Sequence, residues 1–253
     1  MGVKHWWRRR RITRRPIPDS VWAGVTAQMP QLAGLDTTQL DRLRAVATLF
    51  LQDKVFHGVE GVVPAETRVA VAAHAGLMVM ALDYDLLKGW TTVVMYDGGF
   101  SARHELVDEA GVVHTEDADL SGEAWEGGPL VLSREDVHAS VTALDGYNLV
   151  VHELAHKLDM LNGDANGYPP LPPEMRASDW SAAFTGAFDD LGERERLGAP
   201  LPLDPYALEN PAEFFAVASE AFFEVPRALR DAYPGVYECL RGYYRQDPLT
   251  RLG

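Results

Sequence analysis

Cysteine is almost absent from this chain of 253 residues, in which Cys239 is the single one. One cysteine excludes an internal disulfide framework and a cysteine-rich zinc ribbon. The sequence also lacks any run of about 18 apolar residues, so we expect no transmembrane helix and no membrane partner. No apolar segment follows the basic N-terminal residues, so neither a secretory nor a twin-arginine signal is predicted, and we expect a cytoplasmic protein.

Positive charge is scarce beyond the first 15 residues. These residues contain seven of the 23 lysines and arginines, all before the first acidic residue, Asp19. Residues 16–253 therefore carry 16 basic and 37 acidic side chains, a formal charge of −21. Such an acidic body argues against direct binding of nucleic acid by that part of the chain.

The basic segment 1–15 is predicted to be a flexible, solvated arm, because chain termini are usually poorly ordered. Trp6 and Trp7 beside the arginines leave open a contact with nucleic acid or with a membrane surface. Two prolines end the segment, and no further domain boundary is apparent after them. The prediction is therefore an arm at 1–15 and a single domain at 16–253.

Apolar residues recur at three- and four-residue spacing from Asp36 to Phe50, which predicts a helix. A second helix is predicted from Pro64 to about Leu82. Stretches typical of strands follow at 91–96, 111–115 and 129–132. The chain beyond Ser133 is predicted to be mostly helical. A few strands followed by a run of helices favours an α+β fold over alternating βαβ units.

The strongest functional signal is Val-His-Glu-Leu-Ala-His at 151–156. In a helix, His152 and His156 lie on one face, where both imidazoles can reach one zinc ion. Glu153 is rotated by roughly 100° from His152, so it flanks the metal and can accept a proton from water. H-E-x-x-H occurs by chance in roughly one chain in a hundred of this length. The alternative is an exposed amphipathic helix with incidental histidines. Lys157 departs from the usual pattern of such zinc-binding helices, because this position is usually uncharged.

A third protein ligand is needed, because catalytic zinc usually has three protein ligands and a water. No further histidine follows His156 at short spacing, so a distant acid must serve. Glu213 lies three residues after Asn210, where it can equally complete a capping box and bind no metal. Asp159 suits either a partner for an imidazole N–H or a surface charge. Three other acids compete as the third ligand: Glu209, Glu220 and Glu224.

Several longer motifs occur in a fixed order along the chain. They are Gly-Gly-Pro-Leu-Val-Leu at 127–132, His-Glu-Leu-Ala-His-Lys-Leu-Asp at 152–159, Asn-Gly-Asp at 162–164, Tyr-Ala at 206–207, Pro-Ala-Glu-Phe-Phe-Ala-Val-Ala-Ser-Glu at 211–220 and Tyr-Arg-Gln-Asp-Pro-Leu at 244–249. Together they resemble the Mlc titration factor A family of cytoplasmic zinc peptidases. Since the catalytic core of that family resembles the anthrax lethal factor protease domain, the resemblance implies a mostly helical, zincin-type (gluzincin-like) metalloprotease domain with a small β-sheet.

The resemblance also implies roles for individual residues. By this likeness His152, His156 and Glu213 hold one Zn²⁺ per chain, and Glu153 is the general base that activates water. Tyr206 matches a family tyrosine that faces the reaction centre.

A further site residue is suggested by the same resemblance. His114 matches a family histidine that can approach the metal in a resting form, although a strand-end histidine in a cleft explains it equally well.

The family implies aminopeptidase-like hydrolysis of a peptide substrate. It is also named for sequestering Mlc, a repressor of glucose-transport genes, so the alternative function is a regulatory protein that captures an Mlc-like transcriptional repressor controlling sugar-transport genes.

Overall fold

The computed structural model describes residues 3–98 and 127–252 of the chain. The helices are α1 (Val3–Arg14), α2 (Asp19–Thr26), α3 (Thr37–Asp53), α4 (Ala65–Val79), α5 (Arg134–Thr142), α6 (Leu149–Asp159), α7 (Ala177–Arg196), α8 (Pro211–Glu224), α9 (Pro226–Ala232), α10 (Pro234–Tyr244) and α11 (Leu249–Leu252). The strands are β1 (Val55–Gly58), β2 (Thr92–Tyr96) and β3 (Leu130–Ser133). They form a parallel sheet in the order β1-β2-β3. The predicted α+β class is confirmed.

The helix predicted from Asp36 is α3, and its first residues show why it begins there. Gln39 N–H donates to the Asp36 carboxylate at 2.8 Å, and Asp36 N–H donates to the Gln39 side chain at 2.9 Å. This capping box satisfies two backbone donors at the start of the helix. The second predicted helix is α4, and it ends at Val79, three residues before Leu82.

Two of the three predicted strands coincide with β2 and β3, whereas the stretch 111–115 lies outside the described residues. Strand β1 was not predicted from the sequence. This strand has four residues of alternating exposure, and its backbone pairs with β2 from Val55 opposite Thr92. A strand this short is defined by its pairing with a distant segment more than by its own composition.

Helix α4 forms the centre of the core, and all of its residues from Val69 to Val79 are buried. Gly76 allows α3 to pack closely against it, because a Cβ at this position would lie 2.7 Å from the carbonyl oxygen of Leu43. None of the described helices is both long and apolar enough to cross a bilayer.

The basic segment forms helix α1, where the sequence predicts a flexible arm. Arg8 pairs with Asp83 and Asp85, in both cases at 2.8 Å, and Arg11 pairs with Asp53. The acidic body therefore supplies partners for part of the basic segment, which explains why it can dock as a helix. The division of the chain at residue 15 stays a prediction.

Helix α6 contacts both the β-sheet and the C-terminal helices. It packs against α8 on one side and against α4, α5 and β3 elsewhere on its circumference. The functional signal at 151–156 is therefore held between the sheet and the C-terminal helices.

Candidate metal centre

Helix α6 presents both histidines of the H-E-x-x-H motif on one face. Asn148 caps the helix, since its side-chain oxygen accepts from Val151 N–H at 3.0 Å. No glycine or proline interrupts the helix before Asp159, so the backbone stays regular through the motif. The buried rings of His152 and His156 consequently lie one turn apart, with centroids separated by 4.8 Å.

Helix α8 brings Glu213 to the same place. Asn210 caps this helix by accepting from the N–H groups of Ala212 at 2.9 Å and Glu213 at 3.1 Å, and Pro211 occupies the first helical position. Within the described residues, the Glu213 carboxylate makes no hydrogen bond back to Asn210 N–H. The side chain points to the histidines instead of completing a capping box.

The three side chains converge on one point. Glu213 Oε2 lies 2.9 Å from His152 Nε2 and 3.3 Å from His156 Nε2. The two Nε2 atoms are 3.1 Å apart. Among the described residues, this is the one group of histidine, cysteine and acidic side chains close enough to share a metal ion.

Hydrogen bonds within this group and with Glu220 shift the pKa values of two of its members, His152 and Glu213. Burial lowers the pKa of His152, but hydrogen bonds with Glu213 and Glu220 outweigh this effect and raise the pKa to about 10. Burial raises the pKa of Glu213, but hydrogen bonds from both histidines reverse the shift and lower the pKa to about 2. Glu213 therefore remains ionised at neutral pH, and a cation that binds here displaces a proton from His152.

Two further carboxylates of α8 hold helix α6 in place. The fully buried Glu220 accepts from His152 Nδ1 at 2.8 Å with Oε1, and from Asn148 N–H with Oε2. Glu224 accepts from the Asn148 side-chain amide at 2.7 Å. From the sequence, Glu220 was only a competing candidate for the third metal ligand. Its spacing of seven residues from Glu213 indicates the same face of α8 and was the available signal.

Asp159 is not a surface charge, because it is buried and accepts hydrogen bonds from a loop. Its Oδ2 atom accepts from Asn166 N–H at 2.8 Å and from Gly167 N–H at 2.6 Å. Gly167 has φ +75°, and its Cα lies against the carbonyl of Pro211, where a Cβ would clash. Asp159 thus joins the end of α6 to the start of α8, close to Glu213.

Of the other three predicted site residues, the structure describes Glu153 and Tyr206 but not His114. Glu153 is half-buried and follows His152 directly on α6. Tyr206 lies in the 3-10 turn Pro205–Leu208 that precedes α8, and its ring centroid is 6.0 Å from that of His152. His114 lies outside the described residues, so its approach to a metal stays a prediction.

Comparison with known proteins agrees with the resemblance seen in the motifs. Residues 3–245 match the sequence model of a family described as glucose-regulated metallo-peptidase M90. The Mlc titration factor A of Yersinia pestis (strain Pestoides F) is 40% identical over 228 residues, which cover 88% of this chain and 84% of the relative. The Mlc titration factor A of Yersinia pseudotuberculosis serotype O:1b (strain IP 31758) is similar to the same extent.

Proposed function

We propose, from the premise that this chain belongs to the glucose-regulated metallo-peptidase M90 family, that it is a zinc-dependent peptidase of the zincin type. The metal ligands are His152, His156 and Glu213, and the activity is aminopeptidase-like hydrolysis of peptide bonds. The convergence of these three donor atoms is the observation that carries the proposal.

The donor atoms fit a zinc ion. Two atoms that each lie about 2.0–2.1 Å from a tetrahedral centre are about 3.3–3.4 Å apart. The observed separations of 2.9, 3.1 and 3.3 Å are close to this value. Two histidines and one glutamate also form a donor set typical of catalytic zinc, which leaves a fourth position for water or substrate.

Zinc, when bound, polarises the scissile carbonyl and lowers the pKa of water. The chain supplies the proton transfers through Glu153. Its carboxylate is the general base that takes a proton from the attacking water and delivers it to the leaving amine. The half-buried position of Glu153, next to a buried histidine, leaves it accessible to a substrate.

Tyr206 is proposed to stabilise the oxyanion that develops on the scissile carbonyl. Its ring lies beside that of His152, with an interplanar angle of 47°. The backbone of Tyr206 is fixed, because its N–H donates to Asp204 Oδ1 at 2.9 Å. A phenol beside the proposed metal ligands can donate a hydrogen bond to the negative oxygen, and such a donor lowers the reaction barrier.

Tyr206→Phe is expected to lower kcat by about 10²–10³-fold while the zinc content stays unchanged, because the substitution removes one oxyanion donor and keeps the ring. Steady-state kinetics and metal analysis of one preparation measure both quantities. Tyr233→Phe is the control, since it removes a hydroxyl that donates to Asp190 at 3.1 Å, away from the histidines. Full activity of Tyr206→Phe would assign the Tyr206 hydroxyl no part in the reaction.

Glu220→Gln is expected to weaken zinc binding about 10–100-fold, because the carboxylate that orients His152 and increases its basicity is lost. Titration against a chelator of known affinity measures the change. Glu224→Gln is the matched control, since this buried glutamate lies one turn along the same helix and contacts Asn148 in place of a histidine. Equal zinc affinities in the two variants would contradict the proposed role of Glu220.

The proposed function is tested with the purified full-length chain. We expect one zinc ion per chain, hydrolysis of amino-acid anilides and short peptides, loss of activity on chelation, and recovery when zinc is returned. His156→Ala, which lacks a proposed ligand, is expected to lose both zinc and activity. A wild-type protein that takes up no zinc, or that holds zinc and hydrolyses none of these substrates, would disprove the proposal.

A second function, capture of a transcriptional repressor, is supported by the name of the relatives. The alignment with proteins called Mlc titration factor A covers 88% of this chain. We propose that an Mlc-like repressor is a partner of this protein in the cytoplasm. The two functions are compatible, because capture on an outer surface does not require the proton transfers of Glu153.

A further inference from the structure

Lys157 is a buried lysine on the helix that carries the proposed metal ligands. Its exposed fraction is 3%, although lysine is almost never buried unless its charge is paired or hydrogen-bonded. The ammonium donates to the carbonyl oxygen of Gly128 at 2.9 Å. It also lies 5.6 Å from the centroid of the Trp90 ring, where a cation is attracted to the aromatic face.

Lys157 contacts a different part of the fold from the proposed metal ligand His152. Asn148 and His152 connect α6 to α8, through Glu224 and Glu220. Lys157 connects α6 to the residues that lead into β3, and it lies four residues after Glu153, on the same face of the helix. The two faces are offset by one residue, roughly 100° around the helix axis.

The contacts of α6 with α4, α5 and β3 are largely apolar and do not by themselves fix one rotation of the helix, so its directional attachment is the one to α8 on a single face. A second attachment on a different face fixes its rotation. The bond from Lys157 to Gly128 is such an attachment, and it lies one turn from Glu153. We propose that Lys157 is a positioning residue that fixes the rotation of α6 relative to the sheet, and so aims Glu153 at the reacting water.

This inference rests on the proposed peptidase function, in which the geometry of the general base controls the rate. A misplacement of about 1 Å can reduce a rate about 10²-fold without removing any reacting group. Substrate affinity depends on other contacts, so the effect is expected in kcat and not in KM.

The chain contains a matched control for the loss of a buried lysine. Lys54 is 5% exposed, and its ammonium lies 3.4 Å from the centroid of the same Trp90 ring. It donates to the carbonyl oxygens of Leu87 at 2.5 Å and Trp90 at 2.6 Å. These bonds connect the segments that precede β1 and β2; the 3-10 turn Tyr84–Leu87 contacts α6, but neither bond has its acceptor on α6.

The test compares Lys157→Met with Lys54→Met in the zinc-loaded protein. Both variants are expected to keep their zinc and to melt at a lower temperature. For Lys157→Met we expect kcat to fall about 10–100-fold with KM within about twofold of the wild type. For Lys54→Met we expect both constants within about twofold. Lys157→Arg, which keeps a donor for Gly128, is expected to recover part of the lost kcat.

Three kinetic outcomes would overturn the inference: an unchanged kcat in Lys157→Met, an equal loss in both methionine variants, or no recovery in Lys157→Arg. Hydrogen exchange gives a readout that needs no turnover. Backbone amides of 150–157 and 130–133 are expected to exchange faster in Lys157→Met than in Lys54→Met, and equal exchange would contradict the attachment. If the wild type hydrolyses nothing, the proposed function fails, and the exchange data still decide whether Lys157 holds α6.

Discussion

Glu153→Gln is expected to lower kcat for peptide hydrolysis about 10²–10⁴-fold while leaving the zinc content unchanged. Glutamine has nearly the shape of glutamate but lacks a basic oxygen, so it cannot accept a proton from water near neutral pH. The proposed ligands His152, His156 and Glu213 are untouched, and the half-buried position of Glu153 tolerates a neutral amide. Turnover, metal content and melting temperature of one preparation measure the three parts of this expectation.

The Glu153→Gln variant also distinguishes the proposed enzymatic function from the proposed capture of a repressor. We expect an Mlc-like repressor to be captured by Glu153→Gln as well as by the wild type, because an outer surface does not use the base. Loss of capture together with activity, at full zinc content, would mean that the partner enters the cleft. Hydrolysis that survives the substitution would remove Glu153 from the mechanism.

Glu213→Ala is expected to reduce zinc affinity by more than the roughly 10–100-fold that loss of an outer hydrogen-bonding partner costs. The substitution removes the only carboxylate among the three proposed ligands. Two neutral imidazoles then remain as ligands, and neither carries a negative charge to balance the cation. Equilibrium dialysis against zinc, with circular dichroism to confirm the fold, measures the effect.

Glu209→Ala is the control for Glu213→Ala, since this exposed glutamate precedes α8 and lies outside the cluster. It is expected to keep the affinity of the wild type. If Glu213→Ala instead bound zinc with the affinity of the wild type, Glu213 would not be a metal ligand. That result would return the choice of third ligand to the other acids of the region.

The local features of the site were predictable from sequence because they depend on neighbours along the chain. The apolar residues around His152 and His156 predict one helix, and the four-residue spacing places both rings on one face. Asn210 and Pro211 predict the start of α8 in the same way. The prediction of these elements needed no knowledge of tertiary contacts.

The contacts that join distant segments were not predictable from the same patterns. Glu220 is separated by 68 residues from His152, and only the packing of α6 against α8 shows that the two side chains are partners. The docking of α1 likewise depends on acidic residues far along the chain, such as Asp53 and Asp83. Charge and periodicity indicate that such residues need partners, but they do not say which ones.

The order of the helices has a consequence for protein synthesis. Glu213 follows His156 by 57 residues, a span that includes α7 and the loops on either side of it. At about 5–20 residues per second, a ribosome needs roughly 3–11 s to make this span, while N-terminal segments already begin to fold. A growing chain therefore carries the histidines without the carboxylate of the proposed site. The donor set of the proposed site is complete only after Glu213 has been made and α8 has packed against α6.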